Sequence, residues 1–164
     1  MKITVFIAFF LILAICLYGC ARAEISAEEV LYSVCSELEL PSGETYLSFA
    51  DEGSRGYFSA EKMRDIYGKE AEKVFSLTSE YAVFFSSFAY PYEVAVLKCR
   101  SRSDTRAAAA LLCSRADEVS IALRDTEFSA AADKGITLIN GRFVIFIRSD
   151  DPEGAKKIIS DILP

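Results

Sequence analysis

The sequence contains no histidine, and its basic residues are fewer than its acidic ones, with 18 Lys and Arg against 24 Asp and Glu in 164 residues. Without histidine, the Ser-His-Asp and Cys-His nucleophile systems and every imidazole-based metal site are excluded. The net charge of −6 and the lack of a basic stripe argue against nucleic acid as a partner. No motif for a cofactor or a metal ion is present, and the length suits one globular domain plus a targeting segment.

The N-terminal residues have the layout of an export signal. Lys2 precedes the apolar run 3–17, which is broken only by Thr4 and is followed by small residues. This run is shorter than the roughly 20 apolar residues that a membrane-spanning helix needs. We therefore predict a signal peptide over residues 1–19 rather than a membrane anchor.

Two signal-peptidase sites compete at the end of this run. Leu17-Tyr18-Gly19-Cys20 resembles a lipobox, in which cleavage leaves a lipidated cysteine, whereas Ala21-Arg22-Ala23 has the A-x-A pattern of ordinary cleavage. We favour lipidation at Cys20, followed by a short tether over 20–25 and one α+β domain over 26–164. This predicts a protein anchored by its lipid on the outer face of the cytoplasmic membrane. Cleavage after Ala23, which would give a secreted soluble protein, is the alternative.

Three cysteines lie beyond the signal and the lipobox, and an odd number cannot form a closed disulfide framework. Cys35 lies on the apolar face of a predicted helix, as a small buried hydrophobe does. Cys99 lies near the end of a predicted strand, and Cys113 lies in the helix that follows. If that helix folds back on its strand, the two cysteines lie at similar distances from the connecting turn. Cys99 and Cys113 are therefore a candidate disulfide.

Helix starts and one hairpin are the strongest local signals. Ser26 with Glu29 forms a capping-box pattern, Ser59 precedes a short helix, and Asp151 precedes Pro152 at the start of the last helix. Asn140-Gly141 between two apolar runs predicts a type I′ hairpin that pairs Leu138 with Phe143 and Ile136 with Ile145.

These signals predict an α+β fold in the order α-α-β-β-α-β-β-α. Residues 74–88 and 92–100 form one hairpin, with the second strand apolar on both sides and hence interior to the sheet. Residues 136–148 form the other hairpin, and a long helix from Ser103-Asp104 to about Asp125 joins the two. We expect a mainly antiparallel four-stranded sheet with the long and final helices packed on one face. Residues 40–57 have little periodicity and predict an extended loop or an irregular strand.

Several segments together resemble a family of small lipoproteins from Gram-positive bacteria, a family known as a domain of unknown function. The segments are Ile66-Tyr67-Gly68, the strand with Tyr81, Tyr92-Glu93-Val94-Ala95-Val96, and Asn140-Gly141-Arg142-Phe143-Val144-Ile145-Phe146-Ile147 with Ser149-Asp150-Asp151. The likeness covers roughly residues 58–162. It implies a lipid-anchored domain outside the cytoplasmic membrane and supplies no activity, cofactor or catalytic residue.

Few residues suggest chemistry. Ser59-Ala60-Glu61-Lys62 matches the S-x-x-K pattern of penicillin-interacting enzymes, but the partner motifs are missing, and a helix N-cap explains Ser59. Acidic residues at Asp150-Asp151-Pro152-Glu153 fit helix capping better than a cation site.

The densest group of aromatic residues lies between Tyr81 and Tyr92, and such a group in strands is typical of a core. Tyr90 and Tyr92, at the turn, form a candidate binding surface for a sugar or a peptide. We therefore predict a noncatalytic module that binds an envelope protein, peptide or wall component. A histidine-free hydrolase acting outside the membrane is the alternative.

Overall fold

The computed structural model describes residues 24–87 and 91–163. The predicted signal peptide, the lipidation site at Cys20 and the alternative cleavage site after Ala23 lie outside these residues. The helices are α1 (Ala27–Glu37), α2 (Ala60–Tyr67), α3 (Ala71–Phe75), α4 (Thr105–Leu123), α5 (Ser129–Ala132) and α6 (Pro152–Ile162). The strands are β1 (Gly43–Leu47), β2 (Thr78–Ser86), β3 (Glu93–Cys99), β4 (Gly135–Asn140) and β5 (Phe143–Arg148).

The structure confirms the α+β class, but the sheet has five strands where the sequence predicted four. The predicted element order also lacks the short helices α3 and α5, and α3 includes residues 74 and 75, which were predicted to begin a strand. The strand order in the sheet is β1-β2-β3-β5-β4, and every neighbouring pair is antiparallel. The additional strand, Gly43–Leu47, comes from the stretch that predicted a loop or an irregular strand. As an edge strand it buries only Tyr46 fully, so its sequence lacks the alternation that marks a half-buried strand.

The helices cover both faces of the sheet, which corrects the prediction that the long and final helices share one face. Helices α2, α3 and α4 pack on the first face, whereas α1 and α6 pack on the second. The physical reason lies in the central strands, because all residues of β3 and β5 are buried. Two apolar faces require two covering layers, and the interior position predicted for residues 93–99 is confirmed.

The second hairpin forms with a register shifted from the predicted one. Leu138 pairs with Ile145 and Ile136 with Ile147, so the turn residues are Gly141 and Arg142 rather than Asn140 and Gly141. Only Gly141 has a positive φ, +59°, which fits a type II′ turn with glycine at its first central position. Because the partners shift by two residues, the predicted apolar face is retained and packs against α1 and α6.

Three of the four predicted helix starts are capped by the predicted side chains; at the fourth, α4 begins directly after Asp104, but no side chain caps it. Ser26 and Glu29 exchange the two hydrogen bonds of a capping box at α1, and the Ser59 hydroxyl accepts the backbone N–H of Lys62 at α2. The Asp151 carboxylate accepts the N–H of Gly154 at 2.8 Å at the start of α6. These side chains satisfy backbone donors that a helix leaves unpaired in its first turn.

Candidate functional site

Two oppositely charged residues face each other at one end of the two neighbouring strands β3 and β5. Glu93 opens β3, Arg148 ends β5, and the two are paired across the strands on the face that α4 covers. Glu93 is 2% exposed and Arg148 is 1% exposed. Charged side chains are almost never buried this completely unless they are paired, so their contacts decide what the site can do.

Three donors converge on the Glu93 carboxylate. The Tyr67 hydroxyl, at the end of α2, donates a hydrogen bond to Glu93 Oε1 at 2.8 Å. Arg115 Nε from α4 and Arg148 Nη1 each lie 3.4 Å from Glu93 Oε2. Two guanidinium groups thus share one carboxylate at distances longer than the 2.7–2.9 Å typical of a strong charge-assisted bond. The cluster therefore has one more positive charge than negative charge.

Arg148 keeps two donors without a partner. Its Nε and Nη2 atoms are buried and have no hydrogen-bond acceptor among the described residues. The Phe146 ring lies below the guanidinium, with its centroid 5.0 Å from Arg148 Cζ. Buried polar groups are nearly always hydrogen-bonded in folded proteins. Two orphaned donors on one buried arginine are therefore the most unusual feature of this cluster.

Burial changes the proton affinities of two of these groups. Loss of solvent and the neighbouring Glu93 carboxylate raise the pKa of Tyr67 well above 10, so its hydroxyl remains a donor at neutral pH. Loss of solvent lowers the pKa of Arg148, while Glu93 opposes that shift. An arginine nevertheless stays protonated in proteins.

The cluster forms the floor of a cleft of about 330 Å³, which we call the Arg148 cleft. Its polar lining comes from Ser86, Tyr92, Glu93, Arg115 and Arg148, and its apolar lining from Phe85, Pro91, Val119, Ala122, Leu123 and Phe128. This volume lies at the lower end of the range for small-molecule sites, which are mostly apolar with a few polar groups. The cleft is large enough for a group the size of one or two amino acids.

Of the two tyrosines predicted as a binding surface, Tyr92 lines this cleft. Its hydroxyl donates a hydrogen bond to the Asp150 carboxylate, which also pairs with Lys134 Nζ at 3.3 Å. The bond from Tyr92 lowers the pKa of Asp150 and Lys134 lowers it further, against an opposing effect of desolvation. Tyr90 lies outside the described residues. Tyr92 therefore belongs to a wall of the cleft, and the two-ring surface stays a prediction.

A larger groove of about 830 Å³ lies beside β1, and two of its charged residues, Glu44 and Lys62, are paired with each other. Lys62 Nζ contacts Glu44 at 3.3 Å and also bonds with the Tyr46 hydroxyl. Ser59, the other half of the S-x-x-K pattern, accepts the backbone N–H of Lys62 at 3.2 Å. The geometry thus gives Ser59 the role of helix cap that the sequence predicted, and uses the Lys62 ammonium in a surface ion pair.

Cys99 and Cys113, the candidate disulfide, are separate free thiols in the structure. Cys113 projects from α4 toward β4, where its sulfur lies 3.6 Å from the Thr137 hydroxyl. Strand β5 separates β4 from β3, which carries Cys99, and two strand spacings amount to about 10 Å. Disulfides need Cα atoms within about 7 Å of each other, so α4 crosses the wrong strand for this pairing.

Thiol labelling distinguishes these cysteines. In the native protein we expect an alkylating reagent to modify Cys113, which is exposed, and to spare Cys35 and Cys99. Burial raises the pKa of Cys35 to about 12 and also raises that of Cys99, which keeps both as unreactive thiols. Mass analysis of the peptides, from protein labelled before and after unfolding in urea, shows which cysteines carry the reagent. Labelling of Cys35 alone in urea without reductant would instead indicate a Cys99–Cys113 bridge.

The residues that form the cleft floor were missed in the sequence, although a signal was available. Arg148 ends an otherwise apolar strand, and Glu93 begins a strand whose other charged residue is Lys98. Glu93 and Arg148 both lie in register with apolar residues that face the core. A charge at an inward position predicts a buried partner. Tyr67 and Arg115 had no comparable signal, because their helical positions identify a face but not a contact.

In residues 24–87 and 91–163, no group of three Cys, Asp or Glu side chains is arranged to hold a metal ion. None of the helices in those two ranges combines the length and the apolarity needed to cross a bilayer. Comparison with known proteins found no matching family model, no matching curated protein and no matching solved structure. The resemblance to Gram-positive lipoproteins therefore stays a prediction.

Proposed function

We propose that this chain is an exported, noncatalytic binding protein, held on the outer face of the cytoplasmic membrane by a lipid on Cys20. In this proposal the Arg148 cleft is the ligand-binding site, and the partner is an envelope protein, a peptide or a wall component. The observation that carries it is the cleft of about 330 Å³ with a buried, incompletely paired arginine at its floor.

The composition of the cleft supports binding rather than hydrolysis as its use. Glu93, the carboxylate at the floor, is already bonded to Tyr67 and paired with two arginines. Both carboxylate oxygens of Glu93 are thus engaged by groups of the protein itself. The apolar side chains around it, such as Val119 and Leu123, offer the surface that gives small ligands most of their affinity.

The start of the described chain supports a short tether at the membrane. Lys98, whose side chain is 4% exposed, donates to the Ile25 carbonyl oxygen at 3.0 Å and lies 3.9 Å from the Glu24 carboxylate. Arg142 also pairs with Glu24. Four residue steps separate Cys20 from Glu24, which reach at most about 14 Å. A lipid on Cys20 would hold the domain close to the bilayer.

The lipid anchor can be tested by the intact mass of the protein recovered from an exporting host. We expect a chain that begins at Cys20 and carries one diacylglycerol, and a Cys20→Ala variant that lacks this mass. A Cys35→Ala variant is the matched control and keeps the lipid. If both the wild type and Cys20→Ala gave an unmodified chain that begins at Glu24, the protein would be secreted and not anchored.

The cleft can be tested with two substitutions on α4. Ala122 is exposed and lines the cleft, whereas Ala110 is exposed on the same helix but lines none of the cavities described here. The chain is immobilised and exposed to a soluble digest of the host cell wall. We expect a component to bind the wild type and Ala110→Trp but not Ala122→Trp. If both variants retained the component equally, binding would lie outside the cleft. If mass spectrometry showed that a component is cleaved, the hydrolase would be favoured instead.

A further inference from the structure

We infer that the Arg148 cleft recognises a carboxylate carried on an apolar body, such as the C-terminus of a short peptide or a small organic acid. This inference rests on the proposed use of the cleft as the ligand site. It adds the chemical class of the ligand and the atoms that bind it, the Nε and Nη2 donors of Arg148.

The position of the two orphaned donors on the guanidinium is the first argument. Nε–H and Nη2–H lie on the same edge of the planar group and point in parallel, whereas Glu93 contacts the remaining nitrogen, Nη1. That edge matches the two oxygens of a carboxylate, which arginine binds through two parallel hydrogen bonds. Glu93 thus uses one nitrogen of Arg148, and no group in residues 24–87 or 91–163 accepts a hydrogen bond from the bidentate edge.

The charge of the site is the second argument. Arg115 and Arg148 together exceed the single charge of Glu93, so the floor is cationic although the whole chain has a net charge of −6. A buried excess charge is costly unless it is compensated. A ligand carboxylate would neutralise the cluster and satisfy both orphaned donors in one step.

The walls define the rest of the ligand. Phe85, Val119, Leu123 and Phe128 provide apolar surface next to the charged floor, in a cleft of about 330 Å³. A strongly hydrated anion such as inorganic phosphate would leave this surface uncovered. A carboxylate attached to an apolar group fits both parts of the cleft.

The rigidity of the site is the third argument. Arg148 is held by Glu93 on the neighbouring strand and by the Phe146 ring, whose centroid lies 5.0 Å from Arg148 Cζ, and Glu93 is held in turn by Tyr67. All these residues except Tyr67 belong to strands of the sheet. The guanidinium itself therefore loses little conformational entropy when a ligand binds. Because Nε and Nη2 are buried, side chains of the cleft wall must move aside for a carboxylate to reach them.

The test uses calorimetry on the full chain purified from an exporting host in a non-ionic detergent. The probes are N-acetyl-alanyl-leucine for a peptide C-terminus and 4-methylpentanoate for an organic acid, each paired with its uncharged amide. We expect at least one acid to bind and its amide to bind at least about tenfold more weakly. The acid that binds shows whether the carboxylate comes from a peptide C-terminus or from a small organic acid. Equal binding of acid and amide, or binding of neither acid, would overturn the inference.

Variants locate the binding on Arg148. Arg148→Lys keeps the charge but lacks the two-donor edge, and we expect it to weaken acid binding by about tenfold or more. Ala122→Trp should block the acid and Ala110→Trp should not. Unchanged affinity in both Arg148→Lys and Ala122→Trp would contradict the assignment.

A measurement on the wild type covers the case in which Arg148→Lys does not fold. The ¹⁵N–¹H signal of the Arg148 Nε–H should shift when the acid is added and stay in place with the amide. A static signal at saturating acid would contradict the inference. If a wall component still binds through the cleft while both acids fail, the proposed function remains and only the ligand class is wrong. If the acids bind and wall components do not, the ligand class holds and the envelope partner is wrong.

Discussion

Replacing Glu93 with leucine is expected to lower the free energy of unfolding by about 3–5 kcal/mol. The substitution leaves Arg148, which is 1% exposed, and Arg115 without their shared carboxylate. It also removes the acceptor of the buried Tyr67 hydroxyl. The cost comes mainly from uncompensated buried charge, because the original pair contributes little net energy beyond its own desolvation. Urea unfolding at neutral pH measures it.

Two further variants separate this explanation from a simple packing defect. The double variant Glu93→Leu with Arg148→Met removes both charges and is expected to recover most of the lost stability, since apolar replacement of a buried pair is often neutral. Glu44→Leu makes the same chemical change in the exposed Lys62–Glu44 pair and should change stability by less than about 1 kcal/mol. The double variant still leaves the Arg115 guanidinium and the Tyr67 hydroxyl without the Glu93 carboxylate. A double variant as unstable as Glu93→Leu would therefore place the cost in these two groups or in lost packing, and not in the charge of Arg148.

Local signals in the sequence predicted local structure well. A capping serine or aspartate acts on backbone donors within three residues, so Ser26, Ser59 and Asp151 identified three helix starts without any tertiary information. The interior strand 93–99 was equally clear because it is apolar on both sides. Each of these signals lies within a few residues of the structure that it predicts.

The features that depend on distant partners were predicted less well. The edge strand Gly43–Leu47 forms because β2 offers an open edge, and nothing within its own five residues requires it. The hairpin turn shifted from Asn140-Gly141 to Gly141-Arg142, because the register that β5 adopts with β4 is also constrained by β3. The placement of α4 and α6 on opposite faces likewise follows from the strand order, which periodicity alone does not contain.

The candidate site shows the same division. Tyr92 was found as an aromatic residue at a turn, because local composition carries that signal. The Arg148 cluster needs α2, α4, β3 and β5 to meet, and its members are separated by up to 81 positions from Tyr67 to Arg148. Only a contact map identifies such a set, although the inward charges at Glu93 and Arg148 indicate that a pair exists.

The second large expected effect concerns Phe58, which directly follows residues 40–57, the stretch that predicted an extended loop or an irregular strand. Its ring is 2% exposed and stacks on Tyr46 with centroids 4.8 Å apart. It also meets four other rings edge-on, with centroids 5.6–6.5 Å away, on Tyr67, Phe75, Tyr81 and Phe85. Phe58 therefore contacts aromatic rings from four elements, β1, β2, α2 and α3.

Phe58→Ala is expected to lower the free energy of unfolding by about 3–5 kcal/mol, because it removes a buried ring and leaves a cavity among five aromatic side chains. Phe49→Ala is the matched control, since Phe49 is 66% exposed and should change stability by no more than about 0.5 kcal/mol. Urea unfolding of both variants, read by far-ultraviolet circular dichroism, measures the difference.

The cavity left by Phe58→Ala should also affect residues of the Arg148 cleft. Phe58 contacts Phe85, which lines the cleft, and Tyr67, whose hydroxyl holds Glu93. Phe58→Leu retains much of the apolar volume and should therefore cost less than Phe58→Ala while keeping the Tyr67–Glu93 bond. Equal losses for the two variants would mean that ring stacking, rather than filled volume, holds this face of the sheet together. A loss of stability below about 1 kcal/mol for Phe58→Ala would contradict the central position of Phe58. Even if the five surrounding rings moved into the cavity, the protein would still lose the free energy gained by burying the phenyl group.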